Sequence, residues 1–541
     1  MLLQPVLPSC LLLFFTGLAA CCSDCSYPSL IEATGEELQK GLEDGCFTSV
    51  DLVNAYTARI HEVNSTLHMV LDINPDALEV AKSLDLERGN GKLRGPLHGL
   101  PVMIKQTIGT DDKMRTAAGS YALNNAQVSE DATVAALLRE QGLIILGKTS
   151  LSEWANSRSS NSTNGWNAEG GQTYAAYYPD QDPNGSSSGS AVSSDLGLAF
   201  ATLGTETSGS LLLPGSVNNV VAIKPTVGLT SRYMVIPVSE HLDTIGPMAR
   251  TVRDAASLLQ VIAAQDLRDN YTLASPFADG FPDYVAACKN ASGLQGKRIG
   301  IPHNVLDYWS SSSQYTPAIA AFEQAVIEIA AAGATIIDSA NFTAYTEYVT
   351  SSVPEAVISA DFITDLATYL SQLKTNPNEL YSLADVRDFT RQFPAEEYPL
   401  RNTALWDAAL AQGFNNTSPQ WWPLYQEMLA MGIEGGVPGA LDRDNLDAVI
   451  LPTAFAPDMP ALAGTPAITV PLGAMPDGTP VVVTEGMVEA APGVPFGISF
   501  LGRKWSEEML IGMAYAFEQR TQARKTLGRY IEPTTEIVDT L

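Results

Sequence analysis

Apolar positions along the chain recur at two spacings. Over residues 49–63, Leu52, Val53, Tyr56, Ile60 and Val63 fall on one helical face, with Thr48 placed to cap it. Short uninterrupted apolar runs stand at 102–105, 143–146, 220–223, 335–337, 447–451, 467–470 and 496–501, and 297–302 reads as a strand leaving a turn. Runs of this length between turn formers predict buried strands. Helical patterns alternate with them at 131–140, 252–264, 317–332 and 507–517, and 26–90 reads as helical. Residues 155–185, rich in Asn, Ser, Gly, Tyr and Asp, read as irregular loop and 243–250 as a turn; 340–440 is aromatic-rich and without clear period. Alternating helix and buried strand predicts an α/β fold. No repeat, linker or charge block divides residues 26–541.

The pattern changes character over 183–226. Two serine-rich loops, Gly185-Ser186-Ser187-Ser188-Gly189 and Thr207-Ser208-Gly209-Ser210, flank an apolar run from Leu196 to Leu203. That run suits one buried strand, or a short helix and a strand. Glycine and serine let the backbone approach a ligand closely and present N–H groups to it. Such loops serve either an anion or the oxyanion that forms during acyl transfer.

Composition narrows the partners. Hydrophobic residues make up 45% and charged residues 17% of 541 positions, which suits a folded chain with a large core. Thirty-one basic against 60 acidic residues give a net charge of −29. A surface this acidic repels phosphate backbones and anionic lipid, so neither nucleic acid nor a membrane surface is expected as a partner. At the N-terminus, Leu11-Leu12-Leu13-Phe14-Phe15 opens an apolar stretch ending at Leu18-Ala19-Ala20. It is too short to span a bilayer and reads as a signal peptide over residues 1–20, although it lacks a basic n-region. Leu18-Ala19-Ala20-Cys21 also fits a lipidated bacterial cysteine. The expected destination is therefore extracellular, secreted or on the cell surface. Eight Asn-x-Ser/Thr sequons, at Asn64, Asn161, Asn184, Asn270, Asn290, Asn341, Asn415 and Asn416, agree with that route and with a glycoprotein. Among the six cysteines, Cys25 and Cys46 flank a short segment and are the expected disulfide; no spacing suggests zinc.

A serine nucleophile needs a base, and histidine is scarce: His61, His68, His98, His241 and His303. Residues 185–189 match G-x-S-x-G, which would place Ser187 on a nucleophile elbow. That motif requires a preceding strand, and Tyr178-Pro179-Asp180-Gln181-Asp182-Pro183 are turn formers. An uncharged lysine is the other base open to serine. Lys105 ends the apolar run 102–104, where lost hydration lowers an amine's pKa. Lys224 ends an equivalent run, and periodicity does not choose between them.

Over most of its length the chain resembles the amidase signature family. The resemblance rests on 95–105 (GPLHGLPVMIK), Ala118-Gly119-Ser120, Leu146-Gly147-Lys148-Thr149, the 183–226 stretch, Gly246-Pro247-Met248-Ala249-Arg250, 465–471 and 495–502. The 24-residue spacing of Ser186 and Ser210 also agrees. The resemblance implies one large α/β/α domain over 26–541, its central mixed twisted sheet covered by helices, with the catalytic core at 95–260 and a C-terminal part of the same domain at 445–525. It implies a Ser–cis-Ser–Lys triad: Ser210 as nucleophile, Ser186 as bridge after a cis peptide, and Lys105 as base. The N–H groups of Thr207, Ser208, Gly209 and Ser210 would face the oxyanion, with Ser187 as a helper. The implied reaction is hydrolysis of non-peptide carboxamide bonds through an acyl-enzyme, extending to esters. The substrate would be a small-molecule amide, with no metal or cofactor required and a homodimer left open. Rival readings are a non-catalytic binding protein on the same fold and a transamidase like the tRNA-dependent amidotransferase A subunits. Net charge and the leader oppose the transamidase. The chain departs from the family where Glu206 replaces Asp, Leu212 replaces Arg, Ser188 and Ser208 replace glycines, and Gln106-Thr107 replaces Asp-Asn. His98 reads as a loop hydrogen-bonder, and Trp421 and Trp422 read as core or rim.

Overall fold

A computed structural model describes residues 25–277 and 280–541, so the leader proposed for residues 1–20 lies outside the described residues. One mixed sheet organises them. Its strands are, in chain order, β1 (Val70–Ile73), β2 (Pro101–Lys105), β3 (Ile144–Thr149), β4 (Ala201–Glu206), β5 (Val221–Lys224), β6 (Thr244–Ala249), β7 (Arg298–Ile301), β8 (Thr335–Asp338), β9 (Ala448–Pro452), β10 (Ala467–Ala474) and β11 (Pro495–Leu501). They lie side by side in the order β1-β3-β2-β4-β6-β5-β10-β11-β9-β7-β8. The pairs β3/β2, β2/β4, β9/β7 and β7/β8 are parallel and the others antiparallel. Helices cover the sheet, so β2, β3, β5, β6, β9 and β11 are buried along their whole length. This is why all of these but β6 read as unbroken apolar runs rather than alternating ones.

Two local readings change. The 243–250 stretch is a strand, β6, lodged between β4 and β5. Gly246 and Pro247 resemble turn formers, yet a Cβ at Gly246 would sit 1.9 Å from the Ile223 carbonyl oxygen. The glycine is there for close strand packing, and a turn does not require it. The 26–90 segment is not wholly helical: β1 separates the helix Ser49–Leu67 from Ala77–Gly89. The run 196–203 resolves into the C-cap of the helix Ser188–Asp195, a short connection and the start of β4.

The sheet fixes the site, and the chain ends brace it. Cys25 and Cys46 form a disulfide, and Cys288 is buried and free. At the far end of the helix Ser188–Asp195, buried Asp195 is ion-paired with Arg524 and Arg529, each at 2.7 Å, and accepts from the Tyr177 hydroxyl at 2.9 Å. No helix among the described residues is long and apolar enough to cross a membrane.

Candidate active site

Strands β2 and β4 run parallel, which brings Lys105 and Thr205 out at the same edge of the sheet. The helix Ser188–Asp195 starts beneath that edge, carrying Ser186 and Ser187 in the turn before it. Lys105 is fully buried. Its Nζ donates to Ser186 Oγ at 2.7 Å, to Ser187 Oγ at 3.1 Å and to the Thr205 carbonyl at 3.3 Å. Burial pushes the amine from 10.5 down to about 7, against the opposing pull of Asp243 and Glu206. Among the described residues no carboxylate forms an ion pair with it. Lys224, its equal in sequence, donates to the Thr465 carbonyl at 2.8 Å and meets no serine hydroxyl. Lys148, a buried lysine the sequence did not single out, is held by the Ile108 carbonyl and Thr116. Burial lowers both, each to about 8.

The two serine loops meet edge to edge. The Gly185–Ser186 peptide is cis. Ser187 donates its hydroxyl to the Thr205 carbonyl at 3.0 Å and its N–H to the Ser210 carbonyl at 3.1 Å. Ser187 therefore binds β4 and the Ser210 loop together. Ser210 is 8% exposed, against 0% for Ser186, and lines a cavity. Among the described residues no hydrogen bond joins the Ser186 and Ser210 hydroxyls.

Glu206 explains how the loop stands without the family's arginine. Its carboxylate accepts the N–H groups of Gly209 at 2.8 Å, Leu211 at 2.7 Å and Leu212 at 3.0 Å. A charged acceptor with three backbone donors needs no counter-ion from position 212, and Leu212 is buried. The same contact removes Gly209 N–H from the expected set of four donors. The N–H groups of Thr207, Ser208 and Ser210 have no protein acceptor among the described residues. Gly209 has φ +80°, the backbone freedom only glycine supplies readily, while Ser188 and Ser208 avoid the left-handed region. Behind Thr207, half-buried Asp243 accepts from Thr207 Oγ1 at 2.6 Å and from the N–H groups of Val238 and Ser239. Gln106 bridges the Gly119 N–H and Glu169. His98 is buried between the Leu84 carbonyl and the Arg94 N–H, a loop tie.

The cavity beside Ser210 has a volume of about 610 Å³. Its far wall is made by Ile358 and Phe362 on the helix Val353–Ser371 and by Leu405 and Trp406, the latter two on the helix Ala404–Ala411. The aromatic 340–440 region thus supplies this wall, through Trp406 and through Ile358, Phe362 and Leu405, which the sequence did not pick out. Trp421 instead stacks on Tyr425, and Trp422 is exposed; neither lines the cavity.

The profile of the Amidase family matches residues 51–461. A protein of Arthroderma benhamiae named as an amidase is 54% identical over 534 residues, covering 95% of this chain and 89% of its own. The crystal structure of the peptide amidase from Stenotrophomonas maltophilia superimposes with a TM-score of 0.81 at 36% identity, covering 93% of this chain and 99% of that one. A peptide amidase bound to its competitive inhibitor chymostatin gives 0.82 at 36% identity, with the same coverage.

Proposed function

This chain belongs to the amidase family and is a hydrolase of amides, and from that premise we propose that it works through Lys105, Ser186 and Ser210. One observation supports the assignment above the rest: a wholly buried lysine amine 2.7 Å from the Ser186 hydroxyl, beside the loop that carries Ser210. Neutral Lys105 takes the Ser186 proton as Ser186 takes that of Ser210, and Ser210 Oγ attacks the amide carbonyl. The oxyanion is stabilised by N–H groups of the 207–210 loop, where one such donor contributes about 3 kcal/mol. The relay then runs in reverse. Ser186 hands a proton to the amine, the C–N bond breaks, and an acyl-Ser210 ester remains for water to cleave. Esters, with better leaving groups, follow the same path. We also propose export from the cell, with residues 1–20 as the cleaved leader.

The test is a fluorophosphonate probe together with a panel of alkyl, aryl and peptide amides and matching esters. Labelling and turnover are expected in the natural chain. Ser210→Ala removes labelling, and Ser210→Ala and Lys105→Ala each lower kcat by on the order of 10⁴-fold or more. A chain that is folded yet neither labelled nor active would instead be a binding protein on this fold. Export is tested by the N-terminal sequence of protein recovered outside the cell, which should begin near Cys21.

A further inference from the structure

The side chains around the Ser210 cavity carry a single ionisable group, Glu355, at the mouth of the cavity in the first turn of the helix Val353–Ser371. No lysine, arginine or histidine lines this wall. Glu355 is exposed and makes no hydrogen bond or ion pair among the described residues. Phe362 and Trp406, which stack on each other at 6.5 Å and 19°, line the same cavity as the carboxylate and Ser210. Carboxylates stand behind the near wall: Asp182 accepts from Asn164 at 3.1 Å, Asp243 from Thr207, and Glu206 from the nucleophile loop. Arg158, the nearby base, is consumed by Glu153 and Glu396.

We propose that this cavity selects amides whose acyl part is apolar next to the carbonyl and positively charged at its far end, with Glu355 as the specificity residue. The inference rests on the reading of Ser210 as nucleophile, since that reading makes the cavity the acyl site. A bound cation meets an unpaired carboxylate in a cavity lined by two aromatic rings, and both attract it. An anion meets the Glu355 carboxylate, with no basic side chain in the lining to offset its lost hydration. A purely structural role for Glu355, a carboxylate favoured at a helix N-terminus, predicts no dependence on substrate charge.

The experiment compares three 3-phenylpropanamides that carry a 4-aminomethyl, 4-ethyl or 4-carboxy group. It measures kcat/KM in the natural chain and Kd by calorimetry in Ser210→Ala protein. The cation is expected to exceed the anion by roughly tenfold, shrinking as salt is added. In Glu355→Gln the ratio falls to within about threefold, in Glu355→Lys it inverts, and Glu355→Asp retains it. Equal values for the three compounds overturn the proposal. So does a ratio that Glu355→Gln leaves unchanged while the melting temperature falls. If no compound is hydrolysed but the Kd order holds and depends on Glu355, charge selection stands and the hydrolytic reading fails.

Discussion

Lys105 occupies a place where an ammonium is expensive, and that expense is its use. With the folded value near 7 and the unfolded value near 10.5, the unfolded chain binds more protons between those limits. Stability therefore rises with pH across that window, and the penalty is constant below it. Activity needs the neutral amine, so kcat/KM should climb through about pH 7 to a plateau above it, a limb that stopped-flow or initial-rate profiles would show. A flat profile from pH 5 to 9, on the order of two units either side, would remove Lys105 as the base. Glu206 makes a second residue-scale prediction. Glu206→Gln places an NH₂ among three backbone donors and should lower stability by about 1–3 kcal/mol, read by denaturant unfolding, with a larger loss in kcat than in KM. Some of this was legible beforehand and some was not. Lys105 and Lys224 both end apolar strands, and only the neighbouring strand decides which one meets serine. Glu206 reads in sequence only as a departure from the family, because sequence shows a missing arginine but not three N–H groups folding back to replace it.

Elements place these residues, and parallel pairing of β2 with β4 does most of the placing. Their shared direction sets Lys105 and Thr205 side by side, and Ser187 ties the helix beneath to both. The strand β6 completes that frame where composition argued for a turn. Buried strands were readable from apolar runs, but Gly246-Pro247 carries the chemistry of a bend and is overruled by its neighbours. Gly246→Ala pushes a methyl into the Ile223 carbonyl and should cost about 2–3 kcal/mol or more, visible as a fall in melting temperature with loss of activity. The helices of 340–440 resisted reading for another reason. Their apolar residues face two ways, partly into the core and partly into the cavity, so no single stripe marks them. Trp406 is wholly buried and still lines the cavity. Trp406→Ala should destabilise by about 3–5 kcal/mol and raise KM for aryl amides more than for acetamide.

At the scale of the whole molecule, the α/β class and the order of motifs were plain in sequence, while the register of eleven strands and the bracing by the chain ends were not. The proposed export meets one awkward sequon. Asn184 lines the cavity and its Oδ1 accepts the Gly185 N–H at 2.7 Å. A glycan there would fill the cavity mouth, so glycopeptide mapping of active protein should find Asn184 bare; full occupancy with full activity would contradict the assigned mouth. Asp195 gives the broadest prediction. Arg529→Ala leaves a buried carboxylate half-paired and should cost about 3 kcal/mol, measured by chemical denaturation. The clamp also has a bearing on synthesis. Arg524 leaves the ribosome 329 residues after Asp195, so a nascent chain holds every proposed catalytic side chain long before it holds the grip on their supporting helix. A polypeptide stalled or clipped ahead of that arginine is thus a complete inventory without a working machine, and maturation of the enzyme is timed by the arrival of its tail.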